Sequence, residues 1–338
     1  MISIHEQEAL QLVRHALETN GASLTMATST SHALVLAEMQ GITTHGLSRV
    51  SQYVSHLKNG RVDGRATPKI IREMGATVIV DAGCGLAFPA CDMAVIEAVT
   101  RAKKHGVAFS GVINSHHCGV LGNHLHPLQH AGMIGIALAN APASMPAAGG
   151  KNPIFGTNPI AALFPRQNAT PLEIDLALSE VSRGRLIAAA EKTEPIPLGW
   201  ALDKDGNPTT SPHAGLDGAM LPFGSRSGQK GALLALIVEL LVTALIGTHF
   251  SYEASNMFTP EGNRPRLGHA FLAINPGALA GQKSYFNRLE TFIEQLLRDD
   301  STRLPGDSRH KNITLAKANG IQISSKLYAS LIALGQHT

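Results

Sequence analysis

A mixed α/β fold with helical chain ends is what this sequence predicts, and three observations carry it. Apolar residues recur at helical spacing through the first sixty residues and again beyond residue 283. Between those ends, short β-branched runs alternate with helical stretches. Hydrophobic residues make up 44% of the 338, enough to fill more than one core.

In chain order, Leu10, Val13, Ala16 and Leu17 share a helical face, and Gly21 follows as a stop. A second helix is expected over residues 28–39 and a third over 48–57, ahead of Asn59-Gly60. The turn at residues 41–46 sets His45 just before that third helix. From Thr77 the period changes. Val78-Ile79-Val80 reads as a strand, residues 89–104 as a helix and 107–113 as a strand again. A helix near 121–130 leads into a strand at 134–139. Turns rich in Pro and Gly then separate strands at 160–164 and 172–178 from a helix over 184–190. Residues 203–208 form a hydrophilic turn. Residues 231–246 are almost wholly apolar, but Glu239 interrupts them and they fall short of the ~20 residues a bilayer requires, so a central buried helix is expected. A strand at 269–274 and helices over 283–297 and 324–334 close the chain. No internal repeat or low-complexity linker is present.

Composition excludes several classes of partner. The net charge is only +3 and no Lys/Arg cluster stands out, so neither nucleic acid nor a membrane surface is expected. Cys84, Cys91 and Cys118 are odd in number and lack metal or redox spacing. They read as reduced, buried thiols of a cytoplasmic protein. The first twenty residues carry Glu6, Glu8 and Glu18 in a helical pattern, with no basic region leading into an apolar one, so secretion is not indicated.

The run from Val78 to Gly85 looks like the opening of a Rossmann unit. That fingerprint requires a third glycine for close helix packing, and Phe88 stands there instead. A Rossmann site is therefore not expected. His45 and Arg49 lie four residues apart across a helix start and so are able to share a face. An imidazole with an ordinary pKa near 6.5 can pass a proton to a developing alkoxide, and a guanidinium can grip a carboxylate through two parallel hydrogen bonds. A capping histidine and a surface arginine are the plainer alternative. Ser115-His116-His117-Cys118-Gly119 lies where a strand gives way to a helix, a common place for site residues. Its adjacent histidines have no Asp, Glu or Cys partners at metal-ligand spacing, so no metal is expected. Gly149-Gly150-Lys151 and Gly156-Thr157-Asn158-Pro159 form turns able to bring backbone N–H groups to a phosphate, and Leu304-Pro305-Gly306-Asp307 is an exposed turn. Ser227-Gly228-Gln229-Lys230-Gly231 opens the apolar helix at its positive dipole end.

Together these segments resemble the malate/L-lactate dehydrogenase family of NAD(P)-dependent oxidoreductases that lack a Rossmann fold. The resemblance runs from the first helix to about Arg309. It rests on Thr44-His45-Gly46 with Arg49, Ser115-His116-His117 with Gly119, Gly149-Gly150 leading to Gly156-Thr157-Asn158-Pro159-Ile160, Ile174-Asp175-Leu176-Ala177, Leu221-Pro222-Phe223-Gly224, Gln229-Lys230-Gly231 with Glu239, and Leu304-Pro305-Gly306. It implies a largely antiparallel cofactor-binding sheet domain over residues 76–283. A helical substrate and dimerisation domain over 1–75 would be completed by 284–338, in a homodimer. His45 would be the acid–base residue, with His117 close to the substrate and credited with that role in some relatives. Arg49, beside Thr44, would hold the carboxylate of a small-molecule substrate. NADPH or NADH would contact Ala141, Thr157, Asp175, Leu176, Ala177, Lys230, Gly231, Pro305, Gly306 and Asp307.

The activity so implied is reduction of a small 2-oxo acid to the 2-hydroxy acid. Asn140-Ala141-Pro142-Ala143-Ser144 and Ala148-Gly149-Gly150 look like the members acting on 2-hydroxy acids, sulfolactate included. Phe250-Ser251-Tyr252-Glu253 and the Leu304 turn resemble instead the reductases of Δ1-pyrroline-2-carboxylate and Δ1-piperideine-2-carboxylate. A non-catalytic dinucleotide-binding protein is the alternative of another class. Ser225-Arg226-Ser227 depart from the family pattern as extra residues, and Arg183 with Arg185 would suit a ribose 2′-phosphate.

Overall fold

The computed structural model describes residues 1–224 and 228–336. The Ser225-Arg226-Ser227 departure lies outside them. The chain opens with β1 (Ile2–Ile4), α1 (Glu6–Thr19), α2 (Leu24–Met39) and α3 (Val50–Lys58). The α2 helix begins four residues earlier than its apolar pattern, because the Ser23 hydroxyl accepts from Met26 N–H and caps it. Then follow β2 (Lys69–Met74), β3 (Thr77–Asp81), α4 (Phe88–His105), β4 (Val107–Ser115), α5 (His126–His130) and β5 (Ile134–Ala139). A short hairpin, β6 (Met145–Pro146) and β7 (Pro153–Phe155), leads to β8 (Ile160–Phe164), β9 (Leu172–Leu176) and α6 (Arg183–Lys192). A small sheet follows, with β10 (Ala201–Leu202), β11 (Pro208–Thr209), α7 (Pro212–Asp217) and β12 (Ala219–Met220). The last third holds α8 (Gln229–Val242), β13 (Leu267–Ile274), α9 (Gln282–Leu296), α10 (Asp307–Asn319), β14 (Ile321–Ile323) and α11 (Ser325–Gly335).

Seven strands form the central sheet in the order β2-β3-β4-β13-β5-β8-β9. Only β3 and β4 run parallel, joined by the α4 crossover; every other neighbouring pair is antiparallel. The fold is thus mixed α/β with a largely antiparallel sheet and no Rossmann unit. Phe88, at the position a third glycine would take, is buried at the start of α4 against Tyr53 and His124. The two-residue period of the strands divides the cores. Val112, Ala137 and Phe271 face α4 and α5, whereas Phe109, Leu138 and Ala270 face α8.

The chain ends meet. β1 pairs with β14, and Ile4, Val13 and Leu17 pack with Ile321, Ile323 and Leu331. Segment 284–338 divides: α11 joins this terminal layer, whereas α9 packs through Ile293 against Leu172 and Phe164 of the sheet. Two expectations need correction. The apolar α8 is buried on one face only, since Leu233, Ile237 and Leu240 are 49%, 54% and 47% exposed, so it covers the sheet rather than running through a core. The helix expected near 121–130 is a 3-10 turn over Leu121–Leu125 followed by the short α5. Among the described residues no helix is long and apolar enough to cross a membrane.

Candidate active site

Strand direction explains why distant motifs meet. β4 and β5 both run antiparallel to β13, so Ser115 and Ala139 end at the same edge, opposite Leu267 and His269. β8 starts there and β9 ends there, because each alternates direction with its neighbour. The segments after β4, after β5, before β8 and after β9 therefore emerge together, and the α2–α3 turn closes over them. Between lies a cavity of about 580 Å³, lined among others by Thr44, His45, Arg49, His117, Asn140, Ala141, Thr157, Asp175, Ala177, Arg183, Phe258 and Arg309.

The His45 turn is held from below. Buried Glu38 accepts the Leu47 N–H at 2.8 Å, and burial pushes its carboxyl up from the usual range. A Cβ at Gly46 would run into that carboxylate, so the glycine after His45 is a packing requirement. Arg49 donates from Nε to the Thr44 carbonyl at 2.6 Å and from Nη1 to Gln52 Oε1 at 2.7 Å. Its Nη2 group remains free of those contacts. Thr44 Oγ1 lies 3.0 Å from His45 Nδ1. The rings of His45 and His117 stack with centroids 5.4 Å apart and planes 26° from parallel.

His117 has a defined proton. Its Nδ1 takes the Gly119 N–H at 3.3 Å and lies 2.7 Å from the Tyr53 hydroxyl. An amide only donates, so Nδ1 accepts, Tyr53 donates to it, and the neutral ring carries its hydrogen on Nε2. Burial, then Arg49 and His45, hold His117 well below its ordinary pKa. Burial, then Arg49 and Arg309, push His45 down to about 4. The free site thus holds two neutral imidazoles, where an ordinary value near 6.5 was expected for His45. His116 points elsewhere, its Nε2 2.8 Å from His56 Nδ1, so the adjacent histidines diverge and cannot share a metal.

The cofactor residues expected from the sequence separate into two groups. Ala141, Thr157, Asp175 and Ala177 line the cavity. Gly156 lets the Thr157 turn approach Ala141, whose backbone a Cβ would strike, and buried Glu239 anchors both Asn158 Nδ2 at 2.8 Å and Ser251. Leu176 alternates to the opposite face of β9 and is 43% exposed. Lys230 and Gly231 sit in the first turn of α8, the glycine against the Phe223 backbone, and neither reaches the cavity wall. Pro305, Gly306 and Asp307 also stay off it; the Pro305 carbonyl accepts the Glu173 N–H at the free edge of β9. From that side Arg309 reaches in, pairing with Asp175 at 3.3 Å.

Sequence reasoning passed over Tyr53, Gln52, Phe258 and Arg309. Tyr53 was findable, four residues beyond Arg49 on one helix face. Arg309 was hidden because α10 buries no residue and shows no apolar stripe. Phe258 lies in a loop without a periodic signal. Buried Arg61 shapes that loop, donating to the carbonyls of Asn256, Thr259, Ser255 and Asn263.

Small residues at Ala139, Ala141, Ala143 and Ala177 line the cavity beside the paired imidazoles. The family model described as malate/L-lactate dehydrogenase matches residues 4–332. The chain is 42% identical to a (2R)-3-sulfolactate dehydrogenase (NADP(+)) of Chromohalobacter salexigens over 310 residues, 92% of this chain and 91% of that one. Its fold is similar to that of the Δ1-piperideine-2-carboxylate reductase of Pseudomonas syringae pvar. tomato, with a TM-score of 0.93 at 32% identity over 99% of this chain and 100% of that one. It is also similar to the sulfolactate dehydrogenase of Methanocaldococcus jannaschii, with a TM-score of 0.89 at 31% identity over 98% and 96% of the two chains.

Proposed function

The chain belongs to the malate/L-lactate dehydrogenase family, and from that premise we propose that it reduces a small 2-oxo acid to the 2-hydroxy acid with NADPH or NADH. The observation that carries the proposal is the His45–His117 stack beside the free edge of Arg49 in one cavity. The nicotinamide supplies a hydride when bound along Ala141, Thr157, Asp175 and Ala177. Everything else falls to this chain's side chains.

Arg49 grips the substrate carboxylate through Nη2 and its remaining Nη1 hydrogen, which fixes C2 and its oxygen. His117, locked as the Nε2–H form by Tyr53 and Gly119, donates a hydrogen bond to that oxygen without releasing its proton. His45 delivers the proton. Its depressed pKa follows from burial and two guanidinium charges, so a bound carboxylate that neutralises Arg49 raises it again. Substrate binding therefore arms the acid. The Tyr53 phenol, held protonated by burial, stays a hydrogen-bond donor throughout.

The test is loss of NADPH or NADH absorbance against pyruvate, oxaloacetate, sulfopyruvate and Δ1-piperideine-2-carboxylate. A linear 2-oxo acid should be turned over best, and His45→Ala should lose about 10²–10⁴-fold in kcat, the range general acid catalysis supplies. Faster turnover of the cyclic imine, or full activity of His45→Ala, would sink the assignment. Tight cofactor binding with no turnover on any of these would mark a non-catalytic binding protein. The chain as a cytoplasmic homodimer completes the proposal, supported by its three free thiols and by the uncovered apolar face of α8.

A further inference from the structure

We propose that His56 is a positioning residue of the proposed reaction: its imidazole ties the loop bearing Phe258 to the strand end bearing His117, and so sets where the Arg49 clamp stands relative to that ring. The inference rests on the reading above, in which Arg49 and His117 address one substrate.

One face of α3 organises this side of the cavity. Arg49, Gln52, Tyr53 and His56 stand at positions i, i+3, i+4 and i+7 and share that face. Three of them are already joined to the site. Arg49 bonds to Gln52, Gln52 Nε2 donates to the Met257 carbonyl, and Tyr53 bonds to His117. His56, one turn deeper and buried, reaches in both directions. Its Nδ1 lies 2.8 Å from His116 Nε2, and its Nε2 lies 3.1 Å from the Thr259 carbonyl. His116 directly precedes His117. Thr259 directly follows Phe258, whose ring centroid lies 5.0 Å from the Arg49 guanidinium carbon. The His56 ring therefore bridges the neighbours of both groups.

The hydrogens on that bridge are fixed. Arg61 Nη1 carries two hydrogens, and its nearest acceptors are the Thr259 carbonyl at 2.6 Å and the Asn256 carbonyl at 3.0 Å; His56 Nε2 is farther, at 3.2 Å. A carbonyl only accepts, so His56 donates Nε2–H to Thr259 and accepts at Nδ1 from His116 Nε2–H. His116 Nδ1 is then a bare lone pair, buried with no hydrogen-bond partner among the described residues. The reverse tautomers would leave a buried N–H donor at that atom without an acceptor, the rarer and costlier defect. Burial, then Arg61, lowers the pKa of His56; burial, then His56 and Arg61, lowers that of His116, so both rings stay neutral. Packing holds them too. His116 meets His56 edge-on with centroids 5.1 Å apart and Tyr53 at 5.5 Å, and His269 Nε2 donates to the His116 carbonyl at 3.0 Å. Without the imidazole, Arg61 still grips the loop carbonyls, but nothing on this path registers the loop against the end of β4. A shift of about 1 Å between clamp and hydrogen-bond donor is enough to cost about 10²-fold in rate.

The test measures kcat and KM for a 2-oxo acid, the Kd of NADPH and the Tm in the parent and in His56→Leu, His56→Asn and His56→Gln. His56→Leu should lose about 10²-fold in kcat/KM, through kcat and the KM of the 2-oxo acid, with the Kd of NADPH unchanged. Asn keeps an acceptor near the Nδ1 position and Gln a donor near the Nε2 position. Each cuts one link and should lose about tenfold, so these two carry the test where His56→Leu does not fold. Phe258→Ala should itself cost about tenfold, and combined with His56→Leu it should add little. A loss carried by NADPH affinity, a lower Tm with parent kcat and KM, or multiplied losses in the double variant would each overturn the inference. The imidazole 15N spectrum of the parent reads the bridge without turnover. Hydrogen on Nε2 of both His56 and His116 is expected, and hydrogen on Nδ1 of either overturns it. The same losses on a cyclic imine, with every 2-oxo acid inert in the parent, would remove the ketoacid reading alone.

Discussion

At the scale of single residues, the site turns on how neighbours set the charge of His45. Burial and the guanidiniums of Arg49 and Arg309 keep it neutral in the free protein, with a pKa of about 4. A carboxylate on Arg49 removes part of that repulsion. The protonated, reactive form should then persist to higher pH in the substrate complex than before substrate binds. Reduction measured with NADPH saturating should show kcat falling at a higher pH than kcat/KM does, as pH rises. Coincident breaks in the two profiles would refute substrate-driven arming. The spacing of His45 and Arg49 allowed a shared face but left a capping histidine and a surface arginine open; the family resemblance favoured the pair. The pKa was not legible in the sequence, because Arg309 enters from the other end of the chain and burial is a property of the fold.

At the scale of elements, α8 shows how one residue class serves two ends. Ala235, Val238 and Val242 fill the core beneath the sheet, and Glu239 on that side anchors Asn158 and Ser251 at the cavity wall. Leu233, Ile237 and Leu240 recur at helical spacing on the face that a single chain leaves uncovered. In the homodimer proposed above, that stripe is a contact between copies. Ile237→Glu should then shift the protein from dimer to monomer in size-exclusion chromatography with light scattering, and an unchanged dimer would dismiss α8 as the interface. The sequence announced a helix here but not its burial, since an all-apolar stretch reads the same whether covered by its own chain or by another. The β9 strand was read less well: Asp175, Leu176 and Ala177 were expected together on the cofactor, but alternation turns Leu176 outward while Asp175 and, just past the strand, Ala177 line the cavity.

At the scale of the whole molecule, burial of neutral histidines shapes stability. His45, His56, His116, His117, His124 and His269 are all held below the ordinary imidazole value, with burial the leading cause in each. The unfolded chain takes up protons through pH 6.5 that the native state refuses, so stability is present above that pH and is lost as pH falls toward the native values. His45 alone accounts for about 2 kcal/mol at pH 5. Glu38, Asp175 and Glu239, raised by burial, act in the opposite sense and offset part of the loss. The Tm of the unliganded protein should fall by several degrees from pH 7.5 to 5, and a flat profile would show that these rings are not kept neutral by the fold.

By itself the sequence determined the helical ends, the strands at Ile134–Ala139 and Ile160–Phe164, and the absence of a Rossmann turn at Phe88. Each depends on near neighbours, through periodicity or through what a side chain permits at a turn. Tertiary structure alone decided that Tyr53 fixes the proton of His117, that Asp175 neutralises Arg309, and that Arg183 and Arg49 both lie over the Phe258 ring. Those contacts join residues tens to hundreds of positions apart. They exist because alternating strand directions bring loops to one end of a sheet, and a single-sequence pattern does not encode which loops will meet there.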